Sequence, residues 1–235
     1  MINKFIKMLS IYKRKYKYKK ISYSFNGVDI IIDYIFKNQK KGTYLDVGAQ
    51  HPISNNNTYL LYKRGWNGIN IDLDKINIDL FNISRPEDIN LNYAISDKEG
   101  LADLYFYHDS SPINTLNKTV SNFQKAPIKE VKKIKTTTLN NILNELSLQN
   151  EIDYMNLDVE GLELKVINGL DIDRYKPKVI SVEYLDLDMK KLEFKNNHIE
   201  NLMSSKIYKY FVNNDYFFVN WLHGDLIFVH KNFRD

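Results

Sequence analysis

The feature that most narrows what this chain can fold into is an alternation of two hydrophobic periods. Short runs rich in β-branched and aromatic residues, TYLDV (Thr43–Val47), GINID (Gly68–Asp72), INLNYAIS (Ile89–Ser96), IDYMNLD (Ile152–Asp158) and KVISVEY (Lys178–Tyr184), predict strands. Between them lie patches with helical spacing, TYLLYKRG, TTLNNILNEL and GLELKVINGL. Strands joined through helices predict a parallel sheet covered on both faces. The end of the chain breaks that rule. After a helical stretch, HIENLMSSKIYKYFVNN, the runs YFFVNW and LIFVH flank LHGD and predict a hairpin, so at least one strand must run antiparallel to the rest. Ahead of the first strand, VDIIIDYIF (Val28–Phe36) predicts a lead-in helix. The expected organisation is a basic arm with this helix over 1–40 and one α/β domain over 41–235. Tyr107–Lys133, with Ser110, Ser111, Pro112, Asn114 and Pro127, is the least regular interior stretch and is expected to form a substrate-facing loop or lid.

Composition removes several chemistries. The chain has no cysteine, which excludes disulfides and thiolate catalysis, and only five scattered histidines that could serve a soft metal. No apolar run approaches the length of a membrane span, and lysines interrupt Met1–Ser10 where a signal peptide would be apolar. The expected compartment is the cytoplasm. The formal charge of +4 conceals an asymmetry: Met1–Lys20 holds eight lysines and arginines and no carboxylate, so the remainder carries −4. Tyrosines interleaved with these lysines suit phosphate backbones, anionic lipid headgroups or an acidic partner, and equally a solvated terminal extension.

In open α/β sheets, ligands sit beyond the carboxyl ends of the strands where the strand order reverses. The first strand carries Asp46 near its end and then Gly48 and Ala49, small enough for a ligand to lie against the backbone. The second strand ends in Asp72-Leu73-Asp74, at about the spacing where an acid meets a ribose diol in nucleotide-binding sheets. Neither GxGxxG nor GxxxxGK[ST] occurs, so the turn is not arranged for a pyrophosphate or triphosphate. A phosphate-free nucleoside with an amino-acid end, S-adenosylmethionine, fits these parts, and carboxylates around the cleft suit its cationic sulfur.

Five motifs in order carry a family resemblance: Asp46-Val47-Gly48-Ala49-Gln50, Gly65-Trp66, Asn92-Tyr93-Ala94-Ile95-Ser96, Thr138-Leu139-Asn140, and Asp158-Val159-Glu160-Gly161-Leu162-Glu163. Over roughly Gly42–Tyr184 the chain resembles the FkbM-type S-adenosylmethionine-dependent methyltransferases. The resemblance implies a Rossmann-like class I methyltransferase fold, with a mostly parallel seven-stranded sheet, a C-terminal antiparallel hairpin and helices on both faces. It also implies that Asp46, Gly48 and Ala49 shape the methionine pocket, that Asp72 holds the ribose, and that Ala94 and Ile95 lie near the adenine. Gln50, Asn57, Thr58, Leu73 and Asp158 complete the expected cofactor-facing set. This sequence departs from the family pattern where Gln50 stands for the usual asparagine, where His51-Pro52 follows it, and where the loop Ile53–Asn57 is longer.

For the chemistry, Asp158 ends the fourth strand and Glu160 opens the next turn; one of them is the expected base or acceptor-orienting group. Glu163 is expected to cap the following helix. Glu183 ends the fifth strand and can pair with Asp158 to share a proton; magnesium on that pair is possible in principle and not favoured. His51 follows the ligand turn and is either a base or a cap of the polar loop. His108 has no fixed place in this scheme, and His198, His223 and His230 look like surface or hairpin residues. NLDVEG stands where base N-methylating enzymes carry [DN]PP[YFW], which argues for a hydroxyl acceptor. The resemblance implies O-methylation of a sugar, nucleotide-linked or lipid-linked, in surface-polysaccharide assembly. The expected substrate is a small sugar or sugar-nucleotide. Nucleic acid is not favoured, and the basic arm is expected to make a peripheral membrane or protein contact. A nucleic-acid-binding or RNA-modifying role for the arm is the alternative.

Overall fold

The computed structural model describes residues 2–124, 126–148, 152–184 and 199–234. Helices α1 (Ile2–Lys17) and α2 (Val28–Ile35) precede β1 (Thr43–Val47), α3 (Tyr59–Lys63), β2 (Asn67–Asp72), α4 (Lys75–Ser84) and β3 (Ile89–Asn92). The middle of the chain forms β4 (Ala94–Ile95), β5 (Gly100–Phe106), α5 (Lys118–Phe123), β6 (Glu130–Thr137), α6 (Leu139–Glu145) and β7 (Tyr154–Leu157). Then follow α7 (Glu163–Asn168), α8 (Ile172–Tyr175), β8 (Val179–Glu183), α9 (Ile199–Ser204), α10 (Lys206–Asn213), β9 (Tyr216–Leu222), β10 (Asp225–His230) and α11 (Lys231–Arg234).

Seven strands form the main sheet in the order β3-β2-β1-β7-β8-β10-β9. The pairs β3/β2, β2/β1, β1/β7 and β7/β8 are parallel, and β10 runs antiparallel to both β8 and β9. The order reverses at β1, with β2 on one side and β7 on the other, and a crevice opens there at the carboxyl ends.

Alternation along each strand feeds two apolar layers. Leu45, Val47, Met155, Leu157, Ile180 and Val182 pack with α6, α7 and α10. Tyr44, Tyr154 and Val179 pack on the other face with Val28, Ile32 and Phe36 of the lead-in helix. With both faces covered, the strands are buried along almost their whole length, as expected for a parallel sheet.

Three expectations are corrected. INLNYAIS is not one strand: it divides at the exposed Tyr93, so that β3 joins the main sheet and β4 joins a separate sheet of order β4-β6-β5. Glu130–Lys133, expected inside an irregular loop, belongs to β6, which pairs antiparallel with β5 along seven residue pairs. The C-terminal helical stretch divides at Ser205, whose extended backbone starts a new helix and whose hydroxyl caps it by accepting from the Tyr208 N–H at 3.2 Å. Its first residue, His198, lies outside the described residues.

Candidate active site

The crevice at the reversal holds a cavity of about 310 Å³, within the range of small-molecule sites. One wall is the turn after β1. Gly48 and Ala49 donate N–H bonds to the Ile71 carbonyl at 2.9 and 3.1 Å, which ties the turn to the end of β2. Gly48 has φ +80°, and a Cβ there would lie 1.7 Å from the Asp158 carbonyl oxygen. Only glycine lets β1 and β7 approach so closely at this edge.

The next wall is Asp72. Its Oδ1 accepts from the Asp74 N–H at 2.7 Å and from Asn77 Nδ2 at 3.1 Å, and its Oδ2 accepts from the Gln50 N–H at 2.9 Å. Three donors on the carboxylate leave Oδ2 with one further acceptor position, on a residue that lines the cavity. Burial pushes the Asp72 carboxyl up to about 6, against those three donors, which hold it down.

The floor is acidic. Asp158, Glu160 and Glu183 place one carboxylate oxygen each within 4.8 Å of the others, a donor set that could hold a divalent ion. Burial raises Asp158 well above the usual range, and the neighbouring charges of Glu160, Asp225 and Glu163 add to it. Glu183 is raised by burial and then by the neighbouring charges of Asp158, Glu160 and Glu163; among the described residues its Oε2 has no hydrogen-bond partner. Glu160 rises to about 7 through burial and the charge of Glu163. Glu163 itself accepts from the Val159 and Gly161 N–H groups, both at 3.0 Å, so it holds the turn rather than facing a ligand.

The expected residues separate into three groups. Asp46, Gly48, Ala49, Gln50, Asn57, Asp72, Leu73, Ile95, Asp158, Glu160 and Glu183 all line the cavity. Thr58 and Ala94 do not. Thr58 is fully buried and donates to Asp46 Oδ2 at 2.8 Å, and Ala94 lies in β4 with its neighbour Ile95 turned to the cavity instead. His51 is not among the lining residues, and its Nδ1 accepts from the Ile53 and Ser54 N–H groups at 3.1 and 3.0 Å, the loop-cap arrangement of the two expected for it. Burial, then Arg85, pushes its imidazole pKa down, in keeping with a neutral loop cap.

Sequence reasoning missed a fourth wall. Phe25, Asn26, His223, Gly224 and Asp225 line the cavity from the far ends of the chain. Asn26 Nδ2 donates to Asp225 Oδ2 at 2.6 Å, and Tyr184 N–H donates to the Gly224 carbonyl at 2.7 Å. LHGD was the available signal: once β10 lies beside β8 with Asp225 opposite Glu183, the hairpin turn must sit at the carboxyl edge. The expected loop contributes Ser111, Pro112 and Asn114. It is held at both ends, by the Ser110 N–H on Asp74 Oδ2 at 2.7 Å and by the Thr115 hydroxyl on the Glu160 carbonyl at 2.8 Å.

A glycine turn too tight for a Cβ, an acid on β2 with a spare acceptor position and no phosphate loop together fit a nucleoside bearing a cationic group. No curated protein and no solved structure gives a match to the chain. A family model described as the methyltransferase FkbM domain matches residues 46–210, from the acid of β1 through α10. That match covers well over half of the sequence and includes the turn, the acid of β2 and the carboxylate floor, so the chain belongs to the FkbM methyltransferase family and is an S-adenosylmethionine-dependent methyltransferase.

Proposed function

We propose that the chain methylates a hydroxyl of a sugar, carried by a nucleotide or a lipid, in the assembly of a surface polysaccharide. The observation that carries this reading is the Asp158–Glu183 pair at the cavity floor, two half-buried carboxyls with oxygens within 4.8 Å of each other, both raised well above the usual carboxylate range. A pair that shares one proton keeps one negative charge, and that charge can take a hydroxyl proton. The exocyclic amine of a base would instead call for an aromatic face beside a backbone carbonyl, and Asn156-Leu157-Asp158-Val159 has no aromatic side chain in that place.

S-adenosylmethionine supplies an electrophilic methyl on a cationic sulfur. The Gly48 turn would hold that ligand against backbone, and Asp72 Oδ2 would accept from its ribose hydroxyl. Asp158, beside Glu183, would orient the acceptor hydroxyl and take its proton. A second cavity of about 230 Å³ shares Glu183 and is lined by Asn117, Tyr184, Lys206 and Ile207; it offers the sugar a place beside the base.

Proton transfer to the carboxyl pair needs no metal in this scheme. Chelation is expected to leave turnover unchanged, whereas activity restored by magnesium alone would give the three carboxylates the role of ligands. Calorimetric binding of S-adenosylhomocysteine, followed by a screen of nucleotide-sugars with labelled methyl donor, tests the whole reading. Label passing to an amine rather than a sugar hydroxyl would overturn it.

A further inference from the structure

Helix α1 leaves an apolar side open to solvent. Phe5, Ile6, Met8 and Leu9 are 58%, 57%, 57% and 44% exposed. Phe5, Met8, Leu9 and Tyr12 follow the i, i+3, i+4, i+7 spacing of one helical stripe, with Ile6 at its edge. Lys7, Arg14 and Lys17 lie on the opposite side, where Ile11 also falls, and Lys4, Lys13 and Lys15 flank the stripe. No carboxylate occurs anywhere in Met1–Lys20.

The partner of such a helix must satisfy both sides. A nucleic acid would match the charges and leave the stripe in water. A second copy would match the stripe and bring eight positive charges against eight more. An anionic bilayer satisfies both at once: the stripe enters the boundary between headgroups and acyl chains, and the lysine stems reach back to the lipid phosphates. Among the described residues no helix is long and apolar enough to cross a membrane, so the geometry is one of lying on the surface.

The same segment leads to the active site. Lys17 is joined to Phe25 by a stretch that can span no more than about 28 Å, and Phe25 and Asn26 line the cavity mouth. The ring of Phe25 meets His223 edge-on at 5.5 Å, and Asn26 bonds Asp225. We propose that α1 is an interfacial anchor that seats this enzyme on anionic membrane and turns its cavity toward acceptors carried by a lipid. The acceptor half rests on the sugar-hydroxyl reading; the anchoring half does not.

The test is flotation of the full chain with vesicles of phosphatidylglycerol and phosphatidylcholine, against phosphatidylcholine alone. The parent should float with the anionic vesicles, and Phe5→Glu with Leu9→Glu should lower its partitioning at least about tenfold. Affinity for S-adenosylhomocysteine, read by calorimetry, should be the same in both proteins. A parent that does not float, or a double variant that floats equally well, overturns the proposal. So does self-association or salt-sensitive RNA binding without flotation, which would give the face to a second copy or to nucleic acid. Failure of the calorimetric titration in both proteins would remove the sugar-methylation reading and leave the flotation result standing.

Discussion

Single residues at the edge of β7 and β8 decide which proton moves. Burial, and after it the charges of Glu160, Asp225 and Glu163, make the Asp158 carboxyl hold a proton far more tightly than a free aspartate. Replacing it by asparagine keeps the volume but removes the acceptor for a hydroxyl proton. Asp158→Asn is expected to lower kcat by about 10²–10⁴-fold. The dissociation constant of S-adenosylhomocysteine should change only a few-fold, since Asp72 and the Gly48 turn are untouched. Initial rates set beside calorimetry separate the two effects, and an unaltered kcat would transfer the base to Glu183 or Glu160.

Among elements, the loop between β1 and α3 depends on a residue from another helix. Arg85, wholly buried just past α4, donates to the Pro52 carbonyl, to Thr58 Oγ1 at 2.9 Å and to Asn56 Oδ1 at 2.7 Å. Asn56 and Thr58 in turn donate to Asp46 at 3.1 and 2.8 Å, which fixes the floor of β1 beneath the cavity. A lysine cannot reproduce that planar fork. Arg85→Lys is expected to cost at least about 2 kcal/mol in denaturant unfolding and to weaken S-adenosylhomocysteine binding as the loop loosens. Unchanged stability and affinity would show that the loop holds itself. This clamp also marks where the sequence stopped being legible. TYLDVGA and its partner strands announced themselves because both faces are buried and the runs are continuously apolar. The Gly48 turn, Asp72 and Asp158 followed from standing at strand ends. Nothing in RPED distinguishes a buried arginine from a surface one, because its partners are a carbonyl, an amide oxygen and hydroxyls 27 to 41 residues away rather than a carboxylate at helical spacing. Helix α4 was equally silent, since polar Asn77 is buried beside Ile78 and Phe81 and breaks the apolar stripe. The small sheet of β4, β5 and β6 was hidden for a related reason: half-exposed strands rich in lysine resemble loop.

For the whole molecule, gathering carboxylates into one buried crevice sets how stability responds to pH. Glu160 and Glu163 titrate near 7 in the folded chain, from an ordinary 4.5, and Asp72 near 6, from 3.8; burial is the leading cause in each. Between the ordinary and the raised values the folded state binds protons that the unfolded state has released, so stability falls as pH rises through this window. His51 and His230 act oppositely, because burial pushes their imidazoles below the ordinary 6.5 and the folded state loses ground as pH falls past that value. Above about pH 6.5 the histidine contribution fades and the carboxylates dominate. The melting temperature is therefore expected to fall as pH rises from about 6.5 through about 7 and to level off above that, and Glu160→Gln should flatten the slope. A cationic ligand reverses the same repulsion. S-adenosylmethionine and S-adenosylhomocysteine differ by the methyl and the positive charge on sulfur, so the extra thermal stabilisation by the charged one should grow as pH rises and the floor ionises. A difference independent of pH would mean that the sulfur does not sit over Asp158, Glu160 and Glu183.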